Sequence, residues 1–427
     1  MLRKLSTICL TCGLLLSSGL SAIAAIKPLA NDPFFAQKKQ WAIDGNPNGM
    51  RAALEWCNSR GAGILVAVVG DGIDFNHPEL VGKLIPGAAF IDGNGTYSGN
   101  SKGILQSKDS HGTEMAGIIA AKTDNGIGIA GVAPDAKILV VRVGRNNSFA
   151  DPDIAAGIRF AADKGADVIN LSLSLVQADS NSQIPAALDY AAAHNVAIAI
   201  SAGNFGNENA PSYTNVQLED ITNHVLLVGA LDSKSSIAKY SAVSPYIQVY
   251  SPGGDDTSDA TGDGLVVSTS LSTIDNGYVY TNGTSIATAM VSGTLALLRG
   301  MGYSANQARE KIISGAILKN GIPHLDAVGA MGACQTSENS ILQGIPVGTP
   351  IKPITTINRA LSQRTIQTTY QTSAILVSKD QLLKVLLVIM LAALAILGIK
   401  VYHFQSQQIK IKRDMKNYLK ERFSEEL

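Results

Sequence analysis

Three short segments carry residue types that together could attack a carbonyl group. In Asn282-Gly-Thr-Ser285-Ile-Ala-Thr-Ala-Met-Val-Ser-Gly293 a small-residue turn feeds an apolar run of helical character. A serine at such a turn exposes its hydroxyl beside backbone N–H groups without helical partners, which suits attack and charge stabilisation. The same position also suits a plain helix N-cap. A serine nucleophile needs a base, and His111 in Ser110-His111-Gly-Thr-Glu114-Met-Ala-Gly117 stands at the start of a predicted helix after a loop. Its imidazole can exchange protons near neutrality. Asn204, in Ser201-Ala-Gly-Asn204-Phe-Gly-Asn207, follows a strand-like run, and its amide could donate to a developing oxyanion or close a turn.

The elements that must position these residues are legible as alternation. Gly63 to Val69, Lys137 to Val143, Ala166 to Ser172, Asn195 to Ser201 and His224 to Ala230 are continuous apolar, β-branched runs of strand length. Strands buried on both faces have this pattern. Between them, Gly112 to Ala121, Ile154 to Lys164 and Pro185 to His194 are Ala-rich and of helical length. That order predicts an α/β fold, a mostly parallel sheet built by right-handed crossovers and covered on both faces. Tyr240 to Asn282 reads as surface strands and loops leading to the serine turn, and Ala305 to Ser314 as a last helix before the domain closes at Cys334.

Taken together, these segments resemble the subtilisin-like serine proteases, the subtilases, from about residue 31 to residue 334. His111-Gly-Thr, Ser201-Ala-Gly-Asn204 and Gly283-Thr-Ser285-Ile-Ala-Thr stand in the family's order, with Ile127-Gly-Ile-Ala-Gly-Val-Ala-Pro134, Val168-Ile-Asn-Leu-Ser172 and Ser251-Pro-Gly253 as further matches. The resemblance implies a three-layer subtilisin-like fold and an acyl-enzyme endopeptidase acting on polypeptides. Ser285 would be the nucleophile, His111 the base and then acid, and Asn204 an oxyanion donor. It also implies an edge strand at Leu171-Ser172-Leu173-Ser174 on which an extended substrate pairs. Phe205 would add apolar surface by the primary pocket, or else pack into the core. No cofactor is required; calcium is a possible structural ion, near Glu79 and the Lys122-Thr-Asp124-Asn125-Gly126 loop.

One motif departs from the family. In Val66-Ala-Val-Val-Gly70-Asp71-Gly72-Ile-Asp74 a gapless match puts Gly70 where the family has the aspartate that orients the histidine. Asp71 lies one residue later, and alternate side chains on a strand face opposite ways, so a local turn is needed to bring it round. Asp109 and Glu114, near His111 in sequence, are alternatives. If no carboxylate serves, the chain would be a pseudoprotease that binds peptides without cutting them.

The ends suggest export and anchoring. Residues 1–24 combine a basic start, an apolar stretch and an Ala22-Ile-Ala24 site, the pattern of a secretory signal peptide. Residues 25–334 form the peptidase domain, and 335–381, rich in Thr, Gln and Ser, a flexible linker. Residues 382–402 are apolar over about 21 positions, enough for one transmembrane helix. Residues 403–427 carry Lys410, Lys412, Arg413, Lys416, Lys420 and Arg422, which places that tail in the cytoplasm and the catalytic domain outside it. Export permits a disulfide between Cys57 and Cys334. With zero net charge, 46% hydrophobic residues and no basic stripe, the 427-residue chain does not fit a nucleic-acid binder.

Overall fold

In the computed structural model, residues 29–145, 148–173, 182–206, 223–255 and 264–334 are described. The signal-peptide, linker, transmembrane and tail assignments, and Ser174, lie outside those residues. Among the described residues no helix is long and apolar enough to cross a membrane.

The apolar runs become strands β1 (Leu65–Gly70), β3 (Lys137–Arg142), β6 (Val168–Leu171), β7 (Ala197–Ser201) and β8 (Val225–Leu231). β1 starts two residues later than predicted, because Gly63 adopts a left-handed φ of 79° that ends the preceding turn. With β2 (Leu84–Ala89), β9 (Val249–Pro252), β12 (Ile317–Lys319) and β13 (Ile322–His324) they form a nine-stranded sheet in the order β12-β13-β9-β8-β7-β6-β1-β3-β2, while the short β4 (Gly144–Arg145) and β5 (Ser148–Phe149) pair with each other. All neighbours in the nine-stranded sheet are parallel except the β12–β13 hairpin.

Alternation along β1 explains the three layers. Val66 and Val68 join the core on one face, Ala67 and Val69 the core on the other. The first face is covered by helix α1 (His111–Ala120) and by α4 (Thr284–Gly300), which is buried almost all round. Helices α2 (Asp151–Asp163) and α3 (Ile184–Ala193) cover the second, and α5 (Ala305–Gly315) follows α4.

Two expectations are corrected. The Tyr240–Asn282 segment is not all surface: β9 is fully buried between β8 and β13, and β10 (Val266–Thr269) is buried and paired with β11 (Tyr278–Thr281). Each is only four residues long, too short for its apolar run to show that both faces are covered. Leu171 is not on an edge strand either, since β6 pairs with β1 and β7 on its two sides. Among the described residues of that segment, Ser172 and Leu173 run past the ladder. The two cysteines are joined, with Cα atoms 6.1 Å apart, tying Cys57 to the end of the domain at Cys334.

Candidate active site

The candidate residues gather at the C-terminal ends of β1, β6 and β7, where open α/β sheets place their sites. Ser285 is the second residue of α4, and its half-buried hydroxyl donates to the carbonyl of Ser172 at 3.2 Å. The Ser172 hydroxyl in turn donates to the carbonyl of Ser285 at 3.0 Å. The start of α4 is thereby clamped to the end of β6, and the resting Ser285 proton is turned toward Ser172.

Asn204 lies three residues past the end of β7 and uses its side-chain oxygen to accept from the Thr284 backbone N–H at 2.9 Å and hydroxyl at 2.8 Å. With the oxygen thus committed, the amide nitrogen is left as a donor beside the Gly283–Ser285 turn. Phe205 next to it is 38% exposed, an apolar surface and not a core side chain. Leu173 is 7% exposed and its side chain packs in the core, so any role toward a ligand would fall to its backbone.

His111 opens α1 with its ring 32% exposed, and its Nδ1 lies 3.8 Å from Oδ1 of Asp71. At that distance the pair is a charge contact and not a hydrogen bond. The turn that brings Asp71 round is built by glycine. β1 ends at Gly70, and Gly72 has φ +103° in a place where a side chain would collide with the Leu105 carbonyl. Gly112 completes the approach: a Cβ there would collide with the Gly72 carbonyl and stand 3.1 Å from Asp71 Oδ1.

The other two carboxylates are turned elsewhere. Asp109 accepts from the backbone N–H of His111 at 2.9 Å, which engages it in an Asx turn leading into the helix. Glu114 accepts from the Ser110 hydroxyl at 2.6 Å. Asp71 has a 3% exposed side chain, and neither of its oxygens has a hydrogen-bond partner within the described protein. Burial lowers the His111 pKa, but the adjacent Asp71 carboxylate together with the charges of Glu114 and Asp109 outweighs it, and the net shift is upward. The arrangement can therefore hold an imidazole with Nδ1 toward a carboxylate and Nε2 free to exchange a proton with a hydroxyl or a leaving group.

Sequence reasoning did not find the polar chain beneath the serine. Buried Asn170 on β6 accepts from Ser292 of α4 at 2.9 Å and donates to the Ser172 hydroxyl at 3.0 Å. An asparagine inside an apolar run was the available signal, because a buried amide must find partners.

The residues at the candidate calcium position do not fit that ion. Glu79 accepts from the Ile129 N–H at 2.9 Å, the Tyr278 hydroxyl at 3.0 Å and the Asn125 amide at 2.9 Å, so both oxygens face donors. A calcium ion needs six to eight oxygens with lone pairs turned toward it. Among the described residues no cluster of three or more His, Cys, Asp or Glu could hold a metal.

Comparison with known proteins agrees with this geometry. Residues 61–339 match the subtilase family, Peptidase S8. The chain is similar to thermitase from Thermoactinomyces vulgaris, 35% identical over 283 residues, spanning 66% of this chain and 89% of that one. It is also similar to a thermophilic serine proteinase from Bacillus sp. (strain AK1), 36% identical over 272 residues, 62% of this chain and 60% of the relative's length. Among solved structures, a protease from Pseudoalteromonas arctica superposes with a TM-score of 0.61 at 27% identity, covering 71% of this chain and 98% of that one. On this match of sequence and fold, the chain belongs to the subtilase family of serine endopeptidases.

Proposed function

We propose that this subtilase is an exported, membrane-anchored endopeptidase that cuts extended polypeptides through an acyl-enzyme, with Asp71 replacing the aspartate absent at Gly70. The observation that carries the reading is the buried Asp71 carboxylate 3.8 Å from His111 Nδ1. Catalytic contacts are often long in a free enzyme and shorten when substrate binds.

In this reading His111 Nε2 removes the Ser285 proton as Oγ attacks the scissile carbonyl carbon. The oxyanion is stabilised by the Asn204 amide and by the Ser285 backbone N–H, which in the first turn of α4 has no intrahelical partner. The tetrahedral adduct collapses, the C–N bond breaks, and the imidazolium gives its proton to the departing amine. Water then repeats the sequence, with His111 as base, and releases the acid product. Asp71 holds Nδ1 protonated and offsets the imidazolium charge.

The basic-apolar segment 1–24, the apolar segment 382–402 and the basic residues after it support export with one anchor and an external catalytic domain. Treating membranes that contain the full chain with a fluorophosphonate probe tests the enzyme reading. The parent is expected to label and Ser285→Ala not to. An unlabelled parent would favour the rival reading, a peptide-binding pseudoprotease. Recovery of the full chain in the soluble fraction would overturn the anchor alone.

A further inference from the structure

The Asp71 carboxylate has no hydrogen bond of its own to hold it toward His111, since neither of its buried oxygens has a partner within the described protein. Its place is therefore set by whatever backs the Gly70-Asp71-Gly72 turn. On one side stands Gly112 of α1, where a Cβ would lie 3.1 Å from Asp71 Oδ1. On the other stands the segment 104–106. The Leu105 carbonyl accepts from the Ile73 N–H at 3.1 Å, and a side chain on Gly72 would run into that same carbonyl.

What fixes this second wall is Arg142, a cation at the end of the apolar strand β3. It pairs with Gly70 across the β1–β3 ladder, and alternation with Ile138 and Val140 puts its side chain on the face that carries α1. There it is partly buried, its Cδ 3.3 Å from where a Gly72 Cβ would stand. A charge drawn out of water needs acceptors for its N–H groups. Nε donates to the Gly144 carbonyl at 3.0 Å, and one terminal nitrogen donates to the carbonyls of Ile104 at 2.8 Å and Gln106 at 3.0 Å. The last two close the helical turn Lys102–Leu105, whose final carbonyls lack helical partners. The guanidinium thus ties residues 104–106 to the end of β3, beside the turn that carries Asp71. Burial lowers the Arg142 pKa, and of the neighbouring charges Asp71 opposes that loss while Arg145 adds to it.

We propose that Arg142 is a positioning residue for the reaction, which backs the Gly70-Asp71-Gly72 turn through residues 104–106 and so holds the Asp71 carboxylate toward His111. The inference rests on the reading of Asp71 as the carboxylate that orients His111.

A double-mutant cycle on the full chain tests it, with kcat and KM measured on a peptide substrate for Arg142→Met, Arg142→Lys, Asp71→Asn and Asp71→Asn with Arg142→Met. Arg142→Met is expected to lower kcat by about tenfold to hundredfold with KM within about threefold of the parent. Arg142→Lys, which keeps the charge and part of the reach to the carbonyls, should recover some of that loss. In the Asp71→Asn background Arg142→Met should cost less than about threefold, because the group it positions is already gone. A loss through general loosening of the fold would instead be the same factor in both backgrounds, and that result would overturn the proposal. So would a folded Arg142→Met protein with parental kcat while Asp71→Asn shows its loss. If Arg142→Met does not fold, the cycle run with Arg142→Lys decides, a coupled fall in kcat supporting the proposal and an additive or absent one overturning it. Parental kcat in Asp71→Asn would overturn the underlying reading of Asp71 and this inference with it.

Discussion

At the residue scale, the site turns on a carboxylate displaced by one position. A Cβ built on Gly70 meets nothing within 4 Å, so the position that the family resemblance matches to an aspartate is open and is not filled by another group. Exchanging the two residues, Gly70→Asp with Asp71→Thr, is therefore expected to fold and to keep kcat/KM within about tenfold of the parent on a peptide substrate. A folded but inactive exchange would mean that the shifted turn cannot be undone locally. The raised His111 pKa gives a second expectation. Protonated His111 cannot accept the serine proton, so the acid limb of kcat/KM should lie above pH ~6.5, and Asp71→Asn should move it down. The linked stability runs the other way. The raised pKa stabilises the fold below the unfolded-state value, and that gain is lost as pH rises through the folded-state value. A pH–rate profile read beside urea midpoints checks both signs.

At the element scale, the loop holding residues 122–129 is closed on Glu79 by protein donors. Burial pushes the Glu79 carboxyl up to about 7, against the hydrogen bonds that favour its charged form. The folded chain then keeps this proton where the unfolded chain has released it near 4.5. Stability should fall as pH rises from about 4.5 to about 7, by on the order of 3 kcal/mol, and level off above. Glu79→Gln should flatten that decline in urea midpoints between pH 5 and 8; an unchanged slope would place the linkage elsewhere. Elements of this kind mark the limit of sequence reading. The apolar runs of β1, β3, β6, β7 and β8 were legible because burial on both faces imposes a long hydrophobic run. The burial of β9 and the existence of the β12–β13 hairpin were not, since β9 is covered by strands distant in sequence and all three strands have only three or four residues. Ser285, His111 and Asn204 were visible as separate motifs, but the choice among Asp71, Asp109 and Glu114 depended on how two glycines turn the chain.

At the scale of the whole molecule, the Cys57–Cys334 bridge closes a sequence separation of 277 residues and fastens the end of the domain to its beginning. Cross-linking so long a loop removes much of the freedom of the unfolded chain, and reduction should cost about 2–5 kcal/mol. Urea unfolding with and without reductant checks this, and Cys57→Ser should match the reduced parent. A reduced parent as stable as the oxidised one would show that the sheet and its two helical layers hold the domain closed unaided.

We propose Asp71 as the carboxylate that orients His111 despite Gly70. The most direct measurement is kcat on a peptide substrate for Asp71→Asn, with Glu114→Gln and Asp109→Asn assayed beside it. A fall of about 10⁴-fold is expected for Asp71→Asn with KM little changed, the scale of loss when subtilisin itself loses its aspartate. The other two variants should stay within about tenfold of the parent. A folded Asp71→Asn protein with parental kcat would contradict this assignment, as would a comparable loss in Glu114→Gln alone.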